Sequence, residues 1–110
     1  MKQKEIWYAN LNPAEGSEQS GVRPVVIISG NAMNDHLDIC IVCPLTTKIK
    51  GYAGCIILSS DSVNNLNQDS EIITFQVRTV AKHRFLNKIG EITNQQLDLL
   101  KQGLMEILRY

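Results

Sequence analysis

Apolar positions come in short runs along most of the chain, with polar stretches between them. Ile6 to Leu11 alternates, with Trp7 and Ala9 on one face and Ile6, Tyr8 and Asn10 on the other, and predicts a first strand. Asn12-Pro13 closes it as a turn. Residues 14–22 are polar and glycine-bounded, and read as an exposed loop. Val25 to Ser29 opens with a β-branched run and predicts a buried second strand. Asn31 to Leu37 reads as a loop or a single helical turn, and Ile39 to Leu45 as a third strand. Lys48 to Gly54, with two glycines and two lysines, reads as a mobile loop, and Cys55 to Leu58 as a fourth strand. Ser59 to Ser70 is rich in Ser, Asn and Asp and predicts a long connection, with a helical turn around Val63 to Leu66. Ile72 to Val80 predicts a fifth strand, with Thr74, Gln76 and Arg78 on one face and Ile73, Phe75, Val77 and Thr79 on the other. Phe85 to Ile92 predicts a further short strand after a turn.

The period then changes. Thr93 is a good N-cap, and Gln96 three residues on completes a capping box. Ile92 and Leu97 are placed to form a hydrophobic staple. Leu97, Leu100, Leu104, Ile107 and Leu108 make an apolar stripe at helical spacing, the face that packs on a sheet. Gly103 inside this helix weakens it by about 1 kcal/mol relative to alanine. Short strands with turn signals and one C-terminal helix predict a mainly β fold, a small antiparallel barrel closed off by the helix.

Composition narrows the class. With 110 residues there is room for one domain and one core. No apolar run approaches the ~20 residues that span a bilayer, and the N-terminus leads into a strand, so a cytoplasmic protein without a membrane role is expected. The 11 basic and 11 acidic residues cancel, which argues against tight, indiscriminate duplex binding. A local basic groove is still compatible, because Ile72 to Gly90 carries Arg78, Lys82, Arg84 and Lys88 and no acid, and Lys48 and Lys50 form a second cluster. The competing reading for each is a solvated side chain on a β surface. Three cysteines leave an odd one, which speaks against a disulfide framework. Cys40 and Cys43 are spaced as a C-x-x-C pair but sit inside a strand, where a separation of three puts them on opposite faces. They are expected to be buried core residues rather than metal ligands or a redox pair.

The chemistry concentrates at the junction of the first loop and the second strand, Gly16-Ser-Glu-Gln-Ser-Gly-Val-Arg-Pro-Val-Val-Ile-Ile-Ser29. Pro24 suits the first residue of a strand and biases Arg23 toward extended backbone. A guanidinium is thereby fixed at the mouth of a rigid strand, a sensible way to hold an anion. This stretch, with Ile6-Trp-Tyr-Ala-Asn-Leu-Asn-Pro13 before it, resembles the MazF/PemK family of toxin endoribonucleases. That family opens with a strand ending in Leu-x-Pro, then a Gly-x-Glu-Gln loop, then Gly-x-Arg-Pro and an apolar strand. Gln76-Val-Arg-Thr-Val80 resembles a further family segment. The resemblance implies the SH3-like barrel shared by MazF and the gyrase toxin CcdB. It also implies a homodimer with a groove for single-stranded RNA across its interface. The expected partner is a cognate MazE-like antitoxin whose acidic, disordered tail displaces RNA. DNA contact is expected only through the antitoxin complex, and no cofactor or metal is expected.

Metal-free RNA cleavage needs a deprotonated 2′-hydroxyl, a protonated 5′-leaving oxygen and stabilisation of the phosphorane charge. The resemblance implies Arg23 for the last task, since a guanidinium presents a planar fork to phosphate oxygens. The competing reading is a surface ion pair with Glu15 or Glu18. It implies Thr46, after Pro44-Leu45, as the hydroxyl partner that positions the nucleophile, with Thr47 as its neighbour; the competing reading is a strand-end threonine bonded to its own turn. Ser17, Glu18 and Gln19 are expected to line the RNA groove, and Gln76 and Arg78 to add base or phosphate contacts. Neither arginine nor threonine titrates near neutrality. His36 and His83 are therefore the suspects for any titrating group, though both read more simply as surface histidines. In the PemK-like branch a loop histidine and an arginine–aspartate pair take part in cleavage; Ser17, Ile73 and Phe75 stand there here, so that constellation does not carry over. Phe75 replaces a frequent acid and Ala81 another, and Phe75 reads either as a base-stacking or as a core residue. The alternative function is that of a CcdB-like, non-catalytic toxin inhibiting a protein target such as gyrase; a structural dimer module without activity is a third.

Overall fold

A computed structural model describes residues 1–109. Its elements are β1 (Glu5–Asn10), β2 (Val22–Ile27), α1 (Asn31–His36), β3 (Ile39–Thr46), β4 (Ile56–Leu58), β5 (Ser70–Ile72), β6 (Arg78–Ala81), β7 (Phe85–Glu91) and α2 (Asn94–Arg109). Two 3-10 turns, Thr74–Gln76 and Lys82–Arg84, flank β6. Every pairing is antiparallel, in the order β4-β5-β3-β2-β1-β7, with β6 also on β3. β4 and β7 do not pair with each other, so this is a curved, barrel-like sheet that stays open. Among the described residues no helix is long and apolar enough to cross a membrane.

The strands bury both faces, which explains their continuous apolar runs. One face gathers Ile6, Val26, Cys43, Leu45 and Ile72 under Leu97 and Leu100 of α2. The other gathers Ala9, Val25, Ile27, Cys40, Val42 and Val80 with Phe85. Cys40 and Cys43 thus occupy opposite cores, as a spacing of three in a strand requires. Burial and, secondarily, repulsion from Cys55 push the Cys43 thiol up to about 12.

The fifth strand expected over Ile72 to Val80 is instead two strands with a 3-10 turn between them. The cause is β3, which is long enough to pair with both. Its end takes Leu45↔Ile72, and its start takes Ile39↔Ala81 through Val42↔Arg78. The register shifts by three residues between these ladders, the length of the turn that absorbs them. The expected alternation fails there. Thr74 turns inward and donates to the Gly54 carbonyl at 2.9 Å, while Phe75 and Val77 turn out to solvent.

α2 starts as expected. The Gln96 N–H donates to Thr93 Oγ1 at 3.1 Å, and the Thr93 N–H donates to Gln96 Oε1 at 2.9 Å. Ile92 and Leu97 meet in one core. The packing stripe is Leu97, Leu100 and Gly103, with Leu104 and Ile107 partly covered. Leu108 departs from it at 80 % exposure: it stands on the same side of the helix as Leu97 and Leu104 but in the last turn of α2. Gly103 is there for space: a Cβ on it would sit 2.0 Å from the Gly54 carbonyl oxygen.

Candidate active site

The site lies where the β1–β2 loop, the end of β3, the Lys48–Gly54 loop and the turn before β6 converge. Two clefts share the walls Gln19, Phe75 and Gln76. One, of about 230 Å³, is lined also by Ser17, Thr46, Lys48, Lys50 and Tyr52. The other, of about 400 Å³, is lined also by Glu18, Pro44 and Arg78. A larger hollow of about 820 Å³ runs along the last turns of α2 beside Met105 and Leu108. Its lining is Lys101, Gln102, Met105, Glu106, Leu108 and Arg109, with no Ser, Thr, Tyr, Cys or His side chain among the described residues, so the chemistry is placed in the smaller pair.

Of the residues singled out in the sequence, Ser17, Glu18, Gln19, Thr46, Gln76 and Arg78 line these clefts. Thr47 does not; it is exposed, and its carbonyl accepts from the Ile49 N–H at 3.1 Å. Arg23 does not line either cleft. It is half-buried, with Nε donating to the Ser20 carbonyl at 2.8 Å, on the loop that walls the groove. The expected alternative partners are absent: the ion pairs among the described residues are Lys2–Asp35 and Lys88–Glu5. No hydrogen bond from its terminal nitrogens is formed among the described residues, which leaves that edge of the fork open. The ladder between β2 and β3, Val25↔Pro44, Val26↔Cys43 and Ile27↔Val42, ends short of Arg23 and Thr46, which stand just beyond it on the two strands.

Thr46 is 8 % exposed at the last residue of β3. Its Oγ1 accepts from the Lys48 N–H at 3.1 Å, the strand-end turn bond weighed in the sequence. That bond uses one lone pair. The hydroxyl proton and the second lone pair remain for a ligand in the cleft.

Gln76 has a structural duty that the sequence did not reveal. Its Oε1 accepts from the Gln19 N–H at 2.7 Å and its Nε2 donates to the Ser17 carbonyl at 3.2 Å. Both ends of its amide therefore pin the β1–β2 loop. Arg78 is similarly committed, donating to the Leu11 carbonyl at 3.3 Å. The other cations of the 72–90 segment are occupied as well. Arg84 bonds the Asn10 and Asn12 carbonyls, Lys82 the Asn34 carbonyl, and Lys88 the Glu5 carboxylate. These side chains are held by carbonyls and Glu5, with Arg78 still lining the larger of the two clefts and Lys48 and Lys50 lining the smaller. His36 bonds the Ala32 carbonyl through Nδ1 at 2.7 Å, and His83 is exposed; neither lines the groove.

The Lys48–Gly54 loop, read as mobile, is anchored. Glu71 is fully buried, and its carboxylate accepts from Lys50 N at 2.8 Å, Gly51 N at 3.2 Å and Tyr52 N at 3.0 Å. No sequence pattern announces this, because the three donors are backbone groups about twenty residues away. Tyr52 meets Phe75 edge to face, with ring centroids 5.1 Å apart. Among the described residues, no three His, Cys, Asp or Glu side chains cluster as a metal site would.

Comparison with known proteins converges on one family. Residues 2–108 match the family described as PemK-like, MazF-like toxin of type II toxin-antitoxin system. The chain is 30% identical over 105 residues to "Endoribonuclease EndoA" of Bacillus subtilis, covering 94% of this chain and 90% of that one. It is 33% identical over 98 residues to "Endoribonuclease MazF" of Staphylococcus saprophyticus, covering 88% and 82%. Among solved structures, the Mycobacterium tuberculosis toxin MazF-mt6 superposes with a TM-score of 0.81 at 24% identity, covering 96% of this chain and 97% of that one. MazF from Deinococcus radiodurans gives 0.83 at 21%, covering 100% and 97%. These two superpositions establish the fold.

Proposed function

Because the chain belongs to the PemK-like, MazF-like toxin family of type II toxin–antitoxin systems, we propose that it is a metal-independent endoribonuclease with sequence preference, cutting single-stranded RNA in the cytoplasm. The observation that carries this reading is the Thr46 hydroxyl at the wall of a cleft shared with Ser17, Gln19, Lys48 and Lys50, with Arg23 just beyond the end of the β2–β3 ladder. The 2′-hydroxyl attacks the adjacent phosphorus as its proton departs. The 5′-oxygen leaves with a proton, and the products are a 2′,3′-cyclic phosphate and a 5′-hydroxyl. Arg23 brings its free terminal nitrogens to the phosphorane oxygens, where charge develops. Thr46 orients the nucleophile or phosphate with its remaining proton. Water or substrate groups carry the protons, since no histidine lines the clefts. The 2′-hydroxyl requirement restricts the substrate to RNA, and the small clefts favour single strands.

The CcdB-like, non-catalytic alternative is not favoured, since the relatives carry endoribonuclease names. A related fold is described as an endoribonuclease in complex with its cognate antitoxin, at TM-score 0.81 and 19% identity, over 99% of this chain and 95% of that one. A cognate antitoxin and a homodimer are the assemblies proposed here. Exposed Leu99, Met105 and Leu108 on α2 leave apolar surface that suits an assembled state. The test is incubation with a long single-stranded RNA in EDTA, followed by mapping of the cut ends. Cutting that is lost in Arg23→Ala, with the fold intact by circular dichroism, supports the enzyme. No cutting of any RNA, or full cutting by Arg23→Ala, overturns it.

A further inference from the structure

Tyr52 and Phe75 are 46 % and 48 % exposed, an aromatic pair that faces a cleft instead of the core. They come from separate segments and meet edge to face at the wall of the cleft that holds Thr46. An edge-to-face pair occupies at most one face of each ring, so a ring face remains open. Gln19 lines the same cleft, and its Oε1 is the one buried side-chain polar atom without a hydrogen-bond partner among the described residues. A buried acceptor left unpaired is unfavourable, and turning the Gln19 amide into the cleft lets it take an N–H edge of a ligand there. Lys48 and Lys50 add positive charge at the same wall. An open aromatic face, an unpaired acceptor and nearby cations together match a nucleobase with its phosphate.

The platform is also held rigid. The buried Glu71 carboxylate takes the N–H groups of Lys50, Gly51 and Tyr52, so the loop carrying Tyr52 is fixed at its base. Thr74, next to Phe75, bonds the Gly54 carbonyl and ties the other ring's segment to the end of that loop.

We propose that Tyr52 and Phe75 form a stacking platform for one base flanking the scissile linkage, with Gln19 receiving an N–H of that base and Glu71 as the positioning residue. This rests on the endoribonuclease reading and adds to it the subsite that sets preference at one nucleotide position. Tyr52→Leu keeps apolar bulk but removes the π face. Tyr52→Phe keeps the face. Glu71→Gln retains one acceptor oxygen but presents an amide donor where the carboxylate accepted.

The experiment maps cut sites of wild type and variants on one long single-stranded RNA, and measures kcat/KM on a short RNA carrying the preferred site. Tyr52→Leu and Phe75→Leu are expected to relax base preference at one and the same position and to lower kcat/KM by about 5- to 150-fold, the range that stacking supplies. Tyr52→Phe retains both. Glu71→Gln relaxes the same position, whereas a merely structural glutamate would lower activity evenly across sites. If Glu71→Gln fails to fold, the Tyr52 and Phe75 variants decide. Unchanged preference at every position in Tyr52→Leu, while wild type cuts, overturns the platform and spares the enzyme. Absence of cutting by wild type overturns both.

Discussion

Gly103→Ala separates helix propensity from packing by sign. In an isolated helix the change stabilises by about 0.8–1.0 kcal/mol. In the folded protein the new Cβ lies 2.0 Å from the Gly54 carbonyl oxygen and 3.0 Å from its carbon. Both atoms are backbone, so a rotamer change cannot relieve the overlap. Gly54 has to retreat by about 1 Å to reach even a tight contact, against overpacking costs of about 1–3 kcal/mol. The retreat also stretches the 2.9 Å bond from Thr74 Oγ1 to the Gly54 carbonyl, worth about 1 kcal/mol. The balance is a loss of about 1–3 kcal/mol, or a Tm lower by about 4 °C or more per kcal/mol for a domain of this size. Thermal and urea unfolding of the intact protein measure the loss. A peptide spanning residues 93–109 measures the opposite, local term as increased helicity. A variant protein melting at or above the wild-type temperature would refute the close approach of α2 to the Lys48–Gly54 loop.

Thr46→Val keeps the shape at the end of β3 but removes the hydroxyl, and is expected to cut RNA about 10²-fold more slowly while melting within a few degrees of wild type; equal rates would exclude the hydroxyl from the chemistry. Thiol labelling of native protein should modify Cys55, which is partly exposed, and leave buried Cys40 and Cys43 untouched; mass spectrometry showing early adducts on either buried thiol contradicts the two-core packing. Burial works to raise the Glu5 pKa, but the Trp7 indole N–H, the Lys2 N–H and the Lys88 ammonium outweigh it and hold it below the ordinary 4.5. The folded value is the lower one, so this stability is fully present above the ordinary value and drains as pH falls through the folded one. Glu5→Gln should therefore flatten the acid limb of urea stability below about pH 5, and identical slopes would remove Glu5 from the account.

What the sequence disclosed and what it hid divide along the range of the interactions. The capping box at Thr93 and Gln96 and the opposite faces of Cys40 and Cys43 depend on neighbours within a few residues, and each is where local pattern puts it, whereas the strand expected to start at Pro24 begins two residues earlier, at Val22, because β1 pairs with it that far. Among the candidate site residues, those on the β1–β2 loop and Thr46 line the clefts from the ends of β1, β2 and β3. The misreadings share a different cause. Alternation from Ile72 to Val80 looked continuous because each half is a genuine strand, and only the length of β3, which accepts both halves with a three-residue offset, forces the turn between them. That turn has a consequence for function. A continuous strand would have put Phe75 and Ile73 on one face, whereas the turn buries Ile73 and swings Phe75 out against Tyr52. The same segment supplies Glu71, which the register with Thr46 places under the Lys48–Gly54 loop. A composition of glycines and lysines reads as mobile only while its backbone N–H groups lack acceptors. One buried carboxylate across the sheet supplies them, and so the wall of the cleft is anchored at Lys50, Gly51 and Tyr52.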